Sequence, residues 1–182
     1  MNISLPKQAD IVFPKGNEDE LLAAGRRLGC QQLLFAYEGG KGAKGREGVT
    51  TIAVAREKEQ GRRQGMTIVR VAEDPRFVVE HQRPTIAYGF ESLQHKDFMH
   101  HRASGMEQVI AKIAAEKGVI IGFSFADVLA CEGRRRAQLI GRIAQNIRLC
   151  TKYGARMFFG SFAREPCQMR RKEDTKRFFL SL

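Results

Sequence analysis

The sequence predicts an α/β fold with a parallel sheet of about seven strands. Short apolar runs rich in β-branched residues are bounded by turn residues, and amphipathic helical patterns lie between most of them. The chain also opens strand, helix, strand, the unit that lays two parallel strands side by side. The strand count suits a closed α/β barrel of slightly fewer than eight strands better than a doubly wound sheet, although periodicity alone does not separate the two.

Residues 9–13 are the first strand, ended by Pro14. Asn17 is placed to cap a helix with Glu18, Asp19 and Glu20 in its first turn and Leu21, Leu22, Gly25 and Leu28 inward. Arg26 and Arg27 fall in its last turn and Gly29 ends it, as the helix dipole favours. Residues 32–37 are the second strand. Residues 38–48 form a glycine-rich loop with Lys41, Lys44 and Arg46. Such a loop can lie along a phosphate backbone or simply be solvated, and it lacks the Gly-Lys-Ser/Thr of a nucleotide-binding loop. Residues 49–55 and 66–71 are strands around a loop of mixed charge. Asp74 before Pro75 predicts an N-cap and a short helix to about Gln82. Residues 85–91 are the next strand.

Beyond it, Met106, Val109, Ile110 and Ile113 recur at helical spacing. Ser104 is placed as the N-cap, Glu107 completes a capping box, and Gly118 is the stop. Ahead of this helix, Lys96, Asp97, His100, His101 and Arg102 crowd groups able to meet a phosphate where a helix N-terminus already favours anions. The alternative is a solvated loop in which Asp97 pairs with Lys96 or Arg102. Residues 119–123 are a strand, and Ser124 with Asp127 opens a short helix. A long helix over 133–153 has Ala137, Ile140, Ile143, Ala144 and Ile147 inward and Arg135, Gln138 and Arg142 outward. Residues 155–160 are the last strand. A closing helix over 173–182 turns Phe178, Phe179 and Leu182 inward.

A chain of 182 residues, 43% hydrophobic, suits one domain over 1–182 with a proper core. The net charge of +11 points to a polyanionic partner. Between Glu132 and Leu182, thirteen Lys/Arg face four Asp/Glu, which is nine of those eleven charges. Arginine dominates there, and its planar fork grips phosphates and stacks on bases. Arg134, Arg135, Arg136, Arg164, Arg170, Arg171 and Lys172 are the candidates for RNA contact, with solvated helix faces as the alternative. No apolar run is long enough to span a bilayer, and no signal peptide is expected at the start. Cys30, Cys131, Cys150 and Cys167 have no metal-knuckle spacing and read as separate thiols of a reducing compartment. Only four histidines exist, and no nucleophile–base pair stands out, so no catalytic residue and no metal site is expected. Asp10, Glu91 and His100 are the one set that could meet at a barrel mouth.

The string Lys96, Asp97, Phe98, His100, Arg102, Ser104 and Gly105, followed by an amphipathic helix, resembles the Lys-Asp-Phe-x-His-x-Arg-x-Ser-Gly signature of the ribonuclease P protein component 3 family. That family supplies an archaeal and eukaryotic protein subunit of the tRNA-processing ribonucleoprotein. The resemblance runs from about Asp10 to the end and includes residues 118–124 and 152–155. Ala103 stands where the family usually has Asn, and Glu107 where it has a small polar residue. Arg170, Arg171 and Lys172 replace a frequent Arg-Ser-Pro, and the chain is shorter than is typical.

The resemblance implies a TIM-like barrel, related to the polymerase-and-histidinol-phosphatase (PHP) type of metal phosphoesterase. Those enzymes begin their metal site with His-x-His on the first strand, where this chain has Asp10, Ile11 and Val12. It further implies a cytoplasmic subunit of ribonuclease P, which removes the 5′ leader of precursor tRNA. The ribonuclease P RNA would hold the Mg2+ ions, with no cofactor on the chain. Ribonuclease P protein component 2 and the other ribonuclease P proteins would be the protein partners, and precursor tRNA would be met indirectly. On this reading Lys96, Asp97, His100, His101, Arg102 and Ser104 face RNA or partner, as do Lys41 and Lys44 in the glycine-rich loop. A metal-dependent phosphoesterase on the same barrel and an RNA-binding protein without a processing role are the alternatives.

Overall fold

The computed structural model describes residues 8–38, 47–59, 65–94, 96–97 and 102–182. Seven strands lie in one parallel sheet in sequence order: β1 (Ala9–Val12), β2 (Gln32–Glu38), β3 (Val49–Ala55), β4 (Thr67–Arg70), β5 (Ile86–Tyr88), β6 (Ile120–Ser124) and β7 (Met157–Gly160). Among the described residues six α-helices accompany them: α1 (Glu18–Arg27), α2 (Pro75–Phe77), which a π turn continues to Gln82, α3 (Gln108–Lys117), α4 (Phe125–Leu129), α5 (Gly133–Tyr153) and α6 (Lys172–Leu180).

Side chains alternate along each strand, as a pleated backbone requires. Ala9, Ile11, Leu34, Ala36, Ile52, Ile68, Ile86, Tyr88, Ile120 and Phe158 fill the lumen. Their neighbours Val69, Ala87, Ile121, Phe123 and Phe159 pack outward against the helices. The sheet curls until the Val12 backbone pairs with Ala163, beyond the end of β7, and the Phe13 N–H donates to the Ala163 carbonyl at 2.8 Å. The nearly closed seven-strand barrel is the predicted one.

Asp10 holds the remaining seam. Its Oδ1 accepts from the Ile11 N–H at 2.9 Å and from the Ser161 N–H at 2.7 Å across the gap. Gly160 leaves the room, since a Cβ there would stand 2.9 Å from Oδ1. Burial raises the Asp10 pKa, against hydrogen bonds from Ser161 and the charge of Lys172. The Asp10 side chain thus bonds backbone on both sides of the gap between β1 and the segment after β7.

Several local expectations are met. Asp74 caps α2 by accepting from the Phe77 N–H, Ser124 caps α4 by accepting from the Asp127 N–H, and Gly118 ends α3 with φ +71°. All four cysteines are free.

Others need correction. The Asn17 side chain does not cap α1; it receives the Lys15 N–H and donates to the Arg164 carbonyl, tying the loop after β1 to the loop after β7. The strand predicted over 85–91 stops at Tyr88, because Gly89 at φ +89° turns the chain into a 3-10 turn, Phe90–Ser92. Ser104 is not a cap and there is no capping box: α3 starts at Gln108, and the buried Ser104 hydroxyl bonds to the Met106 backbone. Val109 is exposed rather than inward. The inner face of α5 is Leu139, Arg142, Ile143, Ala144, Asn146 and Cys150, with Ile140 and Ile147 packed partly against the core as expected, while Ala137 is exposed. Arg142, expected outside, is buried because a carboxylate waits for it there.

Candidate nucleic-acid interface

The carboxyl ends of the strands gather the functional groups, as barrel geometry leads one to expect. Arg70, Tyr88 and Ser124 are the last residues of β4, β5 and β6. Phe13 and Phe162 follow β1 and β7. The first turns of α5 lie beside this mouth, and Asp97, Arg102 and Ser104 of the signature string lie against α5.

Asp97 fastens the string. Its carboxylate accepts from Arg142 Nε at 2.7 Å, Gln138 Nε2 at 2.9 Å and the Ala103 N–H at 2.9 Å. Burial raises its pKa, but the bonds from Gln138, Arg142 and Ala103 outweigh that and hold the carboxyl below its ordinary range. Asp97 therefore pairs with neither Lys96 nor Arg102. Arg142 Nη1 donates to the carbonyls of Glu91 and Gln94, so one guanidinium ties the string, the turn after β5 and α5 together. The exposed Arg102 lies against Gly141 of α5, where a Cβ would stand 2.7 Å from its Nε. Gln145 Nε2 reaches Ser104 Oγ at 3.4 Å.

Lys96 and Arg102 are exposed, whereas Ser104 faces inward. Phe98, His100 and His101 lie outside the described residues, as do Lys41 and Lys44. Arg134 and Arg135 are exposed and line a groove of about 840 Å3 between the mouth and α5, shared with Arg70, Glu91, Asp127 and Gln138. Arg136 turns away from it: its Nε donates to the carbonyls of Cys131 at 2.6 Å and Val128 at 3.2 Å. Arg164 is exposed at the mouth, with its guanidinium 5.7 Å from the centre of the Phe13 ring.

The last basic cluster is engaged internally. Arg170 donates to the carbonyls of Cys167 and Met169 and lies 5.7 Å from the Phe125 ring. The exposed Arg171 precedes α6, and its carbonyl accepts from Thr175. Lys172 sits 3.6 Å from the Phe158 ring centre and donates to the Phe159 carbonyl. Burial lowers the Lys172 pKa to about 8, against the raising pull of Asp10.

Sequence reasoning missed Arg70, Tyr88 and Phe13 as members of this surface. The signal was their place at the ends of predicted strands. Arg70 pairs with Asp127 at 3.1 Å and lies 5.6 Å from the Tyr88 ring. The sequence offers Glu91 only as a candidate metal ligand. It is 1% exposed, and burial pushes its carboxyl up to about 7.

Among the described residues, the start of β1 does not fit a metal centre of the phosphoesterase kind. Ile11 faces the lumen where that site begins, and Asp10 Oδ1 is committed to two backbone N–H groups. Among the described residues no three His, Cys, Asp or Glu side chains converge. The mouth presents guanidinium groups and aromatic rings, which suit phosphate and nucleobase.

No family model matches the chain. Over 61 residues it is 41% identical to the ribonuclease P protein component 3 of Methanosarcina acetivorans, covering 31% of this chain and 26% of the relative. Over 86 residues it is 33% identical to the protein of the same name from Methanosarcina mazei, covering 45% and 36%. The matches thus span about a quarter to a third of those relatives' length. A chain in the cryo-EM structure of archaeal ribonuclease P with mature tRNA superposes with a TM-score of 0.73 at 17% identity. That superposition covers 96% of this chain and 82% of the other, a likeness of fold. Part of the chain thus resembles the ribonuclease P protein component 3 of two Methanosarcina species, and its barrel shares the fold of a chain in archaeal ribonuclease P.

Proposed function

We propose that the chain is a protein subunit of ribonuclease P, the ribonucleoprotein that removes the 5′ leader from precursor tRNA. The observation that carries the reading is agreement on one ribonucleoprotein: two curated relatives bear the component 3 name, and the barrel matches a chain of archaeal ribonuclease P. The geometry supports a binding role. Arg70, Arg134, Arg135 and Arg164 set cations around the barrel mouth, and arginine forks hold phosphate oxygens in pairs.

In this role the chain neutralises RNA backbone charge and steadies the catalytic RNA. The RNA holds the Mg2+ ions and performs the hydrolysis, and the chain carries no cofactor. Ribonuclease P protein component 2 and the other ribonuclease P proteins are its protein partners, with precursor tRNA met indirectly, in the cytoplasm. Among the described residues no helix is long and apolar enough to cross a membrane.

Reconstitution tests the proposal. Adding the chain to the ribonuclease P RNA and the remaining protein subunits should raise the rate of 5′ leader removal. RNA binding without any gain in cleavage would leave an RNA-binding protein with no processing role. Phosphodiester hydrolysis by the chain alone would revive the phosphoesterase reading.

A further inference from the structure

A second cavity, of about 240 Å3, opens at the centre of the mouth between Phe13, Arg70, Tyr88, Asp127, Phe162 and Arg164. Its floor is aromatic. The Tyr88 and Phe162 rings are centred 5.0 Å apart, with Phe13 6.0 Å from Tyr88 and 6.4 Å from Phe162. Its sides are cationic, because Arg70 lies over Tyr88 and Arg164 over Phe13. Asp127 fixes the Arg70 guanidinium, so at least one side is ordered in advance.

The chain incurs a local cost to build this floor. Phe162 has φ +50°, a left-handed conformation that a bulky side chain rarely adopts. Two glycines accommodate its ring: a Cβ on Gly122 would stand 2.9 Å from it and one on Gly160 3.3 Å. Backbone strain of this kind persists where the surroundings impose it, often at ligand sites.

We propose that this cavity receives one unpaired nucleotide of the bound RNA, its base stacked against the Arg70 and Arg164 guanidinium planes above the aromatic floor. The proposal rests on the RNA-binding reading given above. The chemistry favours a nucleotide over other anionic ligands. A bare phosphate or an acidic peptide would use the arginines but leave the ring floor without purpose. A base uses both, since arginine planes and aromatic rings stack on its faces while the same arginines reach its phosphate. A cavity of about 240 Å3 matches one unpaired base better than a duplex, whose bases are already stacked on one another. Arg134 and Arg135 in the adjoining groove lie where the flanking phosphates would run.

The test compares a short single-stranded RNA with a fully paired duplex of the same sequence, each bound to the full chain. Both complexes are irradiated at a wavelength that joins stacked bases to aromatic side chains, and the joined peptides are mapped by mass spectrometry. Affinities are measured for the wild type and for Arg164→Gln, an exposed position chosen to spare the fold. The expected result is joining at the peptides of Phe13, Tyr88 or Phe162 with the single strand only. Arg164→Gln should then weaken the single strand about tenfold and the duplex about twofold. Equal weakening of both, with joining elsewhere, overturns the nucleotide site and leaves RNA binding intact. Binding of neither RNA by the wild type overturns both readings together.

Discussion

Asp97→Ala should unfasten the signature string from α5. Arg142 is 3% exposed, and the Asp97 carboxylate is its counter-charge at 2.7 Å. The substitution leaves that cation with carbonyl partners only and strips the Gln138 amide and the Ala103 N–H of their acceptor. Breaking a buried ion pair from one side costs about 3–5 kcal/mol. The Asp97 side chain is 25% exposed, so water can replace part of what is lost, and about 2–4 kcal/mol is the working estimate. At roughly 2–4 °C per kcal/mol for a chain of this size, Tm should drop by about 5–15 °C. Urea unfolding followed by far-UV circular dichroism measures the change, with an unaltered slope as the check on two-state behaviour. Asp97→Asn keeps an acceptor but not the charge and should lose about half as much. Adding Arg142→Met to Asp97→Ala should recover at least about 1 kcal/mol, because the stranded charge is gone. A single mutant within about 0.5 kcal/mol of wild type would refute the clamp.

Four further outcomes follow from named groups. The folded Glu91 carboxyl titrates near 7 against an ordinary 4.5, so its stabilising effect is full below 4.5 and is lost as pH rises through 7. The change is on the order of 3 kcal/mol, and urea curves of Glu91→Gln should lack it; parallel wild-type and variant profiles would defeat the assignment. Lys172 is depressed to about 8, so the unfolded chain keeps that proton to higher pH and stability should rise between 8 and 10.5. Lys172→Met should abolish the rise, read from Tm against pH. Lys96→Ala with Arg102→Ala should leave stability within about 0.5 kcal/mol per site, yet slow reconstituted precursor-tRNA cleavage; unfolding instead would make those side chains structural. Arg134→Gln with Arg135→Gln should flatten the plot of log affinity against log salt by about 1.4–1.8 units, and an unchanged slope would mean neither touches RNA backbone.

The barrel was legible because its signals are local. Seven alternating strands, the stops at Gly29 and Gly118 and the caps at Asp74 and Ser124 each follow from a few neighbouring residues. What was not legible depends on distant partners. Nothing near Asp97 in sequence announces that Arg142, forty-five residues on, is its counter-charge. The α5 face was legible in part: Ile143 and Ala144 are buried and Ile140 and Ile147 pack against the core, whereas the polar Arg142 and Asn146 carry no hydrophobic signal and Ala137 is exposed. The mouth was half legible. Its arginines on α5 stood out by composition, whereas Arg70 and Tyr88 needed the barrel to bring β4 and β5 beside them.

The basic C-terminal third also reads differently once its contacts are known. Arg136 reaches the last carbonyls of α4, and Arg156 Nη2 donates to the Gly118 carbonyl at the end of α3, at 2.6 Å. Both cations sit at helix C-termini, where unsatisfied carbonyls and the dipole attract them. Arg170 and Lys172 bond other backbone carbonyls, and Arg142 is buried. Five of the thirteen basic residues from Glu132 onward therefore bond the chain's own backbone, one of them buried and Arg156 still exposed. Among the exposed cations, Arg134, Arg135 and Arg164 line the mouth, with Arg70 from earlier in the chain. Counterion release counts phosphates contacted rather than protein net charge. The salt dependence of RNA binding should accordingly follow this cluster, and neutralising Arg136 or Arg156 should appear as lost stability with the salt slope unchanged.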